Sequence, residues 1–314
     1  MTEPRVTVMG SFVVDLMARA PHLPQTGETV KGDGFLIGPG GKGSNQGVAA
    51  HKSGARVDMI TKIGRDDFGR IALESFQGEG MDTTYVMQDD ELATGAALIM
   101  VDENTGDNKI LVALGACSCI TEADIENARE VIEGNPVFLT QLETNMVAVG
   151  TALGIATGKG ACIILNPAPA CEVPDELLAL VDILTPNEVE ASILSGVTVT
   201  TPQDASEAAR VLMGKGTKSV VITMGSRGVF AVDNTEERFI PSIQVAAVDA
   251  TGAGDAFSGA LATAIAEGEG FFEAVEFANA AAALSVTKIG TAPAMPTRGE
   301  IDRLIGDAMG SAGA

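Results

Sequence analysis

Asp249-Ala-Thr-Gly-Ala-Gly-Asp-Ala-Phe-Ser-Gly259 sets a carboxylate, Asp255, directly after a turn of small residues and at the head of an apolar run. Thr251, Gly252, Ala253 and Gly254 carry little side-chain bulk, so an anion can approach their backbone N–H groups closely. The residues from Ala256 to Ala266 are nearly all small or apolar, which reads as a buried helix. The first N–H groups of a helix lack partners inside it, and the aligned peptide dipoles make that end partly positive. An anion hole beside an acid suits phosphoryl transfer, which needs a base for the attacking hydroxyl and fixed donors for charge on the phosphate. Taken alone, Gly-Ala-Gly-Asp also reads as a tight turn with an early-turn carboxylate.

Outward from this helix, short apolar runs alternate with helical patterns. Val6–Met9, Val57–Ile63, Val137–Gln141, Cys162–Leu165, Ile183–Thr185 and Val220–Met224 read as strands buried on both faces. Helical stretches fall at Ser44–Ser53, Gly69–Gln77, Glu122–Ile132, Met146–Thr157 and Pro202–Lys215. The alternation predicts an α/β fold: a mostly parallel central sheet flanked by helices, with ligands at the carboxyl ends of the strands. Phe12–Ala20 with Thr29–Ile37, and Thr94–Val101 with Asn108–Ala113, look instead like antiparallel pairs, the second turning at Asn104–Asp107. They predict a small β lid, about 12–37 and 94–113, on one domain spanning 1–314.

The composition narrows the function. Among 314 residues, 42 acids face 20 bases, and the net charge of −22 repels nucleic acid and anionic membranes. An anionic nucleotide would be repelled at long range too, so its site must rely on local donors or a metal. Tryptophan is absent and aromatics make up 4%, which argues against stacking platforms for single strands. No signal-peptide core or membrane-length apolar run is evident, and the expected location is the cytoplasm. Cys117, Cys119, Cys162 and Cys171 form no C-x-x-C pair and are expected to be buried thiols. With only His22 and His51, a histidine-based zinc site or a Ser-His triad has little to draw on.

Other motifs end at predicted strands. Gly38-Pro-Gly-Gly-Lys-Gly-Ser-Asn45 is a glycine loop opening into a helix. It contains Gly-x-Gly-x-x-Gly, but it follows a lid segment rather than the first strand of a βαβ unit, and it lacks the Walker A pattern. Its bare backbone, Lys42 and Asn45 suit a grip on a polyol; a purely structural turn is the other reading. Glu143, in Gln141-Leu-Glu143, emerges at a strand end or caps a helix. Asn187-Glu-Val-Glu190 opens a helix with Asn187 and Glu190 on one face, placed either to hold hydrated Mg²⁺ or to form a capping box. Thr223-Met-Gly-Ser-Arg-Gly228 can accept a phosphate on backbone N–H groups, or serve as a hairpin turn.

Together these motifs resemble the phosphofructokinase-B-type carbohydrate kinases, and their ribokinase group, from about Val6 to Ile305. Gly40-Gly-Lys-Gly-Ser-Asn-Gln46 is similar to the family's N-terminal signature and Asp249–Asp255 to its C-terminal one. Asn166-Pro-Ala-Pro-Ala170 and Thr185-Pro-Asn-Glu188 are close to the ribokinase group. The resemblance implies a ribokinase-like three-layer fold and transfer of the γ-phosphate of ATP to the primary hydroxyl of a pentose. Asp255 would be the base, with Gly252, Ala253 and Gly254 as the anion hole. Asp15, Gly40, Gly41, Lys42, Asn45 and Glu143 would hold the sugar. Asn187, Thr223, Gly225, Ser226, Gly228, Gly254 and Asn279 would hold ATP, with Glu190 near Mg²⁺. Asp249 and Thr251, with carbonyls around Ser285, Lys288, Gly290 and Ala294, would hold K⁺ as a monovalent cation activator. The lid would cover the sugar and form a homodimer contact. Val13 departs from the pattern, standing where ribokinases usually carry asparagine, and this admits 2-deoxyribose as the alternative substrate. Asn279 replaces a histidine common near the adenine. A catalytically silent sugar or nucleotide sensor and a nicotinamide oxidoreductase are the contrasting functions; the first would release no ADP, and the second would change reduced-cofactor absorbance.

Overall fold

The computed structural model describes residues 3–312. Thirteen strands form two sheets. Nine of them build the large sheet: β1 (Arg5–Met9), β4 (Arg56–Gly64), β5 (Val86–Asp89), β8 (Val137–Thr140), β9 (Cys162–Leu165), β10 (Ile183–Leu184), β11 (Ser219–Thr223), β12 (Gly228–Val232) and β13 (Glu237–Pro241). Their order is β13-β12-β11-β10-β9-β8-β1-β4-β5. Pairing is parallel from β11 across to β5, and antiparallel only where β12 and β13 close one edge. Apolar side chains cover both faces: Val6, Val8 and Leu139 belong to one core, Met9, Phe138 and Leu165 to the other. Strands buried on both faces are what the continuous apolar runs require.

The remaining strands, β2 (Val13–Ala20), β3 (Gly34–Gly40), β6 (Thr94–Asp102) and β7 (Asn108–Gly115), form the small sheet in the order β3-β2-β6-β7. β2–β3 and β6–β7 are antiparallel hairpins, and β2 lies parallel to β6. Both of these strands run outward from the large sheet, which makes the central pair parallel. β3 begins at Gly34 rather than near Thr29; one residue earlier, Asp33 N–H still donates to the Arg19 carbonyl of β2 at 3.2 Å.

Three further expectations are corrected. The helix over Glu122–Ile132 is two short helices, Glu122–Asn127 and Arg129–Gly134, broken at Ala128. The glycine loop before Asn45 is not a loop: β3 runs to Gly40, Gly41 turns the chain at φ 92°, and the helix already starts at Lys42. Only Cys117 is a buried thiol, since Cys119 sits on an exposed turn and Cys162 and Cys171 are half-buried. Among the described residues no helix is long and apolar enough to cross a membrane.

Two helices carry Asp255 and the amides that hold it. Lys42–Lys52 packs against Ala253–Glu267, beneath the carboxyl ends of β1 and β8. A Cβ on Gly259 would lie 2.5 Å from the Gln46 carbonyl oxygen and 2.6 Å from Ala49 Cβ, so glycine is what lets the two backbones approach.

Candidate active site

Asp255 lies in the first turn of the helix Ala253–Glu267 and is 6% exposed. Gly252 precedes it at φ 78°, a left-handed conformation that a glycine adopts without strain. Both carboxylate oxygens accept from carboxamides of the facing helix. Asn45 Nδ2 donates to Oδ2 at 3.0 Å and Gln46 Nε2 to Oδ1 at 2.9 Å. Burial pushes the Asp255 carboxyl above the usual carboxylate range; Lys42, Gln46 and Asn45 pull against it, and Glu143 adds to the rise.

A cavity of about 160 Å³ opens onto Asp255 and is lined by Lys42, Asn166, Glu190 and the turn Gly252–Gly254. It adjoins a cleft of about 520 Å³, with Asn187, Thr223, Ala253 and Gly254 lining both. That volume falls in the range of small-molecule sites. Gly225, Ser226, Gly228 and Asn279 also line the larger cleft, so every residue expected to hold a nucleotide borders one of the two spaces. The Thr223–Gly228 turn is a hairpin between β11 and β12, and it lines the cleft as well. Asn279 Nδ2 donates to the Pro241 carbonyl at 2.9 Å, tying its amide to the cleft wall.

Asn187 and Glu190 form a capping box: Asn187 Oδ1 accepts from Glu190 N–H at 2.9 Å, and Glu190 Oε2 accepts from Asn187 N–H at 2.8 Å. Both border the smaller cavity, so the cap and the cavity wall are one structure. Burial raises the Glu190 carboxyl above its ordinary value, against the pull of the Asn187 N–H and of Lys42.

Glu143 follows β8 and reaches the start of the facing helix. Its Oε2 accepts from Lys42 N–H at 3.0 Å and from Ser11 Oγ at 2.5 Å, capping a helix from another segment of the chain. Asp15 on β2 lies against Gly40, where an added Cβ would collide with its carboxylate. Burial, with Glu143 and then Asp255 adding repulsion, lifts the Asp15 carboxyl to about 6. Burial pulls the Lys42 ammonium down, but Asp255, Glu143 and Glu190 outweigh it and leave it raised, hence charged. Val13 is 3% exposed and packs with Ala97 and Ile99 of the lid.

Asp249 accepts from Thr251 Oγ1 at 2.6 Å, from Thr251 N–H at 3.0 Å and from Gly290 N–H at 3.0 Å. These bonds, with Arg19 nearby, outweigh burial and hold its carboxyl below the usual range. Val286 carbonyl accepts from the N–H groups of Val248 and Asp249, joining the 248–252 and 285–290 segments. The Lys288 ammonium turns away to Glu300 at 2.9 Å.

Residues 3–298 match the model of the pfkB family carbohydrate kinases. The chain belongs to the pfkB family of carbohydrate kinases. It is 43% identical over 295 residues to the ribokinase of Haemophilus influenzae, covering 94% of this chain and 96% of that protein. It is 36% identical over 293 residues to the deoxyribokinase of Salmonella typhi, covering 93% and 95%. Among solved structures, Arabidopsis thaliana ribokinase complexed with ribose and ATP superposes with a TM-score of 0.90 at 31% identity, covering 97% of this chain and 99% of that one.

In this pfkB kinase, four buried polar residues around the base escaped the sequence reading as site residues. Gln46 contacts Asp255 directly, and Asn166 and Gln141 contact Gln46 at 3.0 and 2.7 Å. Ser11 holds Glu143. Gln46 and Asn166 stand inside the two signature-like motifs around Gly40 and Pro167, which was the available signal.

Proposed function

We propose that this pfkB kinase transfers the γ-phosphate of ATP to the primary hydroxyl (O5) of D-ribose, forming ribose 5-phosphate. The observation that carries the reading is the seat of Asp255: a buried carboxylate at a helix N-terminus, where a nucleotide-sized cleft meets a small polar cavity. The ribokinase relatives support ATP and ribose as the substrates. In this reading the sugar lies between Asp15, Asn45 and Glu143, and Asp255 accepts the hydroxyl proton as oxygen attacks phosphorus. Lys42 and the N–H groups of Gly252–Gly254 stabilise negative charge on the transferred group without reorganising.

Mg²⁺ and K⁺ fit the donors present. Glu190 offers a buried carboxylate on the cavity wall, and Asn187 an amide beside it; hard oxygen donors of this kind suit Mg²⁺, which would neutralise phosphate charge. Asp249, Thr251 and the carbonyls around Ser285, Lys288, Gly290 and Ala294 are an all-oxygen set that would hold K⁺ and strengthen the field at the anion hole. Activity is expected to depend on K⁺ and to fall when a bulky organic cation replaces it. Equal rates in the two salts would remove K⁺ from the reading.

The lid also supports a homodimer. Phe35, Leu36 and Ile37 are each more than half exposed, as are Ile110 and Leu111. Neighbours along a strand point to opposite faces, so both faces of the lid carry bare apolar side chains. One would close over the sugar and the other would meet a second copy. Light scattering of Leu111→Glu would give monomer; an unchanged mass would place the contact elsewhere.

Val13 favours 2-deoxyribose as a second reading, supported by the deoxyribokinase relative. An apolar wall leaves a facing hydroxyl unpaired at roughly 1–3 kcal/mol. Coupled ADP-release assays over ribose, 2-deoxyribose, ketohexoses and nucleosides decide the matter. Ribose turnover supports the first reading, and the same assay on Val13→Asn measures what valine contributes. No ADP release with any sugar would leave a silent sensor.

A further inference from the structure

Behind Asp255 lies a chain of buried carboxamides with no contact to either cavity except through Asn166. Gln141 Nε2 donates to Gln46 Oε1 at 2.7 Å. Gln46 Nε2 is shared between Asp255 Oδ1 at 2.9 Å and Asn166 Oδ1 at 3.0 Å. Asn166 Nδ2 donates to the Thr185 carbonyl at 2.8 Å. Gln46 and Gln141 are fully buried.

The polarity of this chain is fixed from its far end. A backbone carbonyl can only accept, so Asn166 must turn its NH₂ toward Thr185 and its oxygen toward Gln46. Gln46 must then present its NH₂ to both Asn166 and Asp255, and its oxygen to Gln141. A flipped Gln46 would set oxygen against the Asp255 carboxylate and leave Gln141 facing a second NH₂. Asn45, on the other carboxylate oxygen, has no such backing: its Oδ1 is buried without a partner, as is Gln141 Oε1 at the open end of the chain, so the polarity of Gln46 is set from Asn166. One oxygen of Asp255 thus faces a locked donor and the other a free one.

We propose that Gln46, locked by Gln141 and Asn166, is a positioning residue that orients the Asp255 carboxylate and keeps it ready to accept the hydroxyl proton. The inference rests on the kinase reading, and it assigns a task to Gln46 and Gln141, which border neither cavity: the amide group of Gln46 is spent on Asp255, Asn166 and Gln141. A donor to the ionised form favours that form, so its loss makes Asp255 hold a proton to higher pH. The charged groups facing Asp255 are Lys42 from the helix Lys42–Lys52, Glu143 after β8, Asp15 on β2 and Glu190 on the helix Glu188–Ser195. All of them remain in the variants below.

The test is the pH dependence of kcat for the wild type, Gln46→Met and Gln141→Met, with KM for ribose and ATP measured at each pH. Gln46→Met is expected to lower kcat about tenfold near neutrality and to move the acid limb up by about one pH unit, leaving both KM values within about twofold. Gln141→Met, which never touches Asp255, should shift the limb in the same direction by less. An unmoved acid limb in the folded variants overturns the inference, as does an effect confined to the sugar KM. If Gln46→Met does not fold, the acid limb of Gln141→Met alone decides whether the inference stands. If the wild type phosphorylates no sugar, the kinase reading fails separately. The inference is then judged from an infrared titration of the carboxyl band that Asp255→Asn abolishes, which must still move up in Gln46→Met.

Discussion

Asp255 and Asp15 lie close enough to repel each other, and burial acts on them with different consequences. Asp255 is held by two carboxamide donors, and burial raises its proton affinity against the pull of Lys42, which makes it a stronger base. Replacing it by asparagine keeps the volume and removes the base. Turnover of Asp255→Asn is expected to fall roughly 10²–10⁴-fold with an unchanged circular dichroism spectrum, and near-normal turnover would strip Asp255 of its role. Asp15 has no donor to offset its burial and sits near two carboxylates, which takes it to about 6. The folded chain therefore binds this proton more tightly than the unfolded chain, whose carboxyl titrates near its ordinary value. Stability from this group is intact below that ordinary value, is lost as pH climbs through about 6, and stays lost above it. Asp15→Asn should accordingly raise stability at pH 8 by about 2–3 kcal/mol, have little effect at pH 4, and weaken sugar binding. Urea unfolding at the two pH values checks this; equal gains at both would contradict it.

The pairing of Lys42–Lys52 with Ala253–Glu267 turns these residues into a site. A methyl group at residue 259 has nowhere to go except into the Gln46 carbonyl and Ala49. Gly259→Ala should cost roughly 1–3 kcal/mol by overpacking, and should also lower kcat, since Asn45 and Gln46 move away from Asp255 as the helices part. A stable variant with full activity would show that the close approach is unimportant. Much of this element level was legible beforehand. β1, β9 and the helix Met146–Thr157 follow apolar runs whose ends are marked by glycine, proline or a capping asparagine. β13 was not legible, because Glu237–Pro241 is a mostly exposed edge strand whose only pattern is its pairing with β12. The nucleotide cleft could be read from glycine turns at strand ends, where short range carries the signal. The carboxamide chain could not, since Gln46 meets Asn166 and Asp255 across 120 and 209 positions. A buried glutamine carries no periodicity of its own; only the folded helices define its partners.

At the scale of the molecule, charge sets the dominant long-range term. A net −22 on a chain of 314 residues means that ion pairs such as Lys52–Glu79 and Lys62–Asp124 leave a large surplus of carboxylates unpaired. Mutual repulsion among them opposes the compact state and is relieved on unfolding. It is also screened by salt, with a Debye length of about 10 Å at 0.1 M and about 3 Å at 1 M. Surface ion pairs weaken under the same screening, but each contributes only about 0–1 kcal/mol, so the unpaired surplus decides the sign. Melting temperature is therefore expected to rise between 10 mM and 1 M NaCl. A gain of about 1 kcal/mol appears as an increase of about 2 °C in a chain of this size. KCl should raise it at least as much: screening depends on ionic strength alone, and K⁺ held at the proposed Asp249 site would add its binding energy to the folded state. Calorimetry in matched NaCl and KCl series separates these effects. A melting temperature that falls with salt would mean that the ion pairs, rather than the excess acid, govern the stability of this fold.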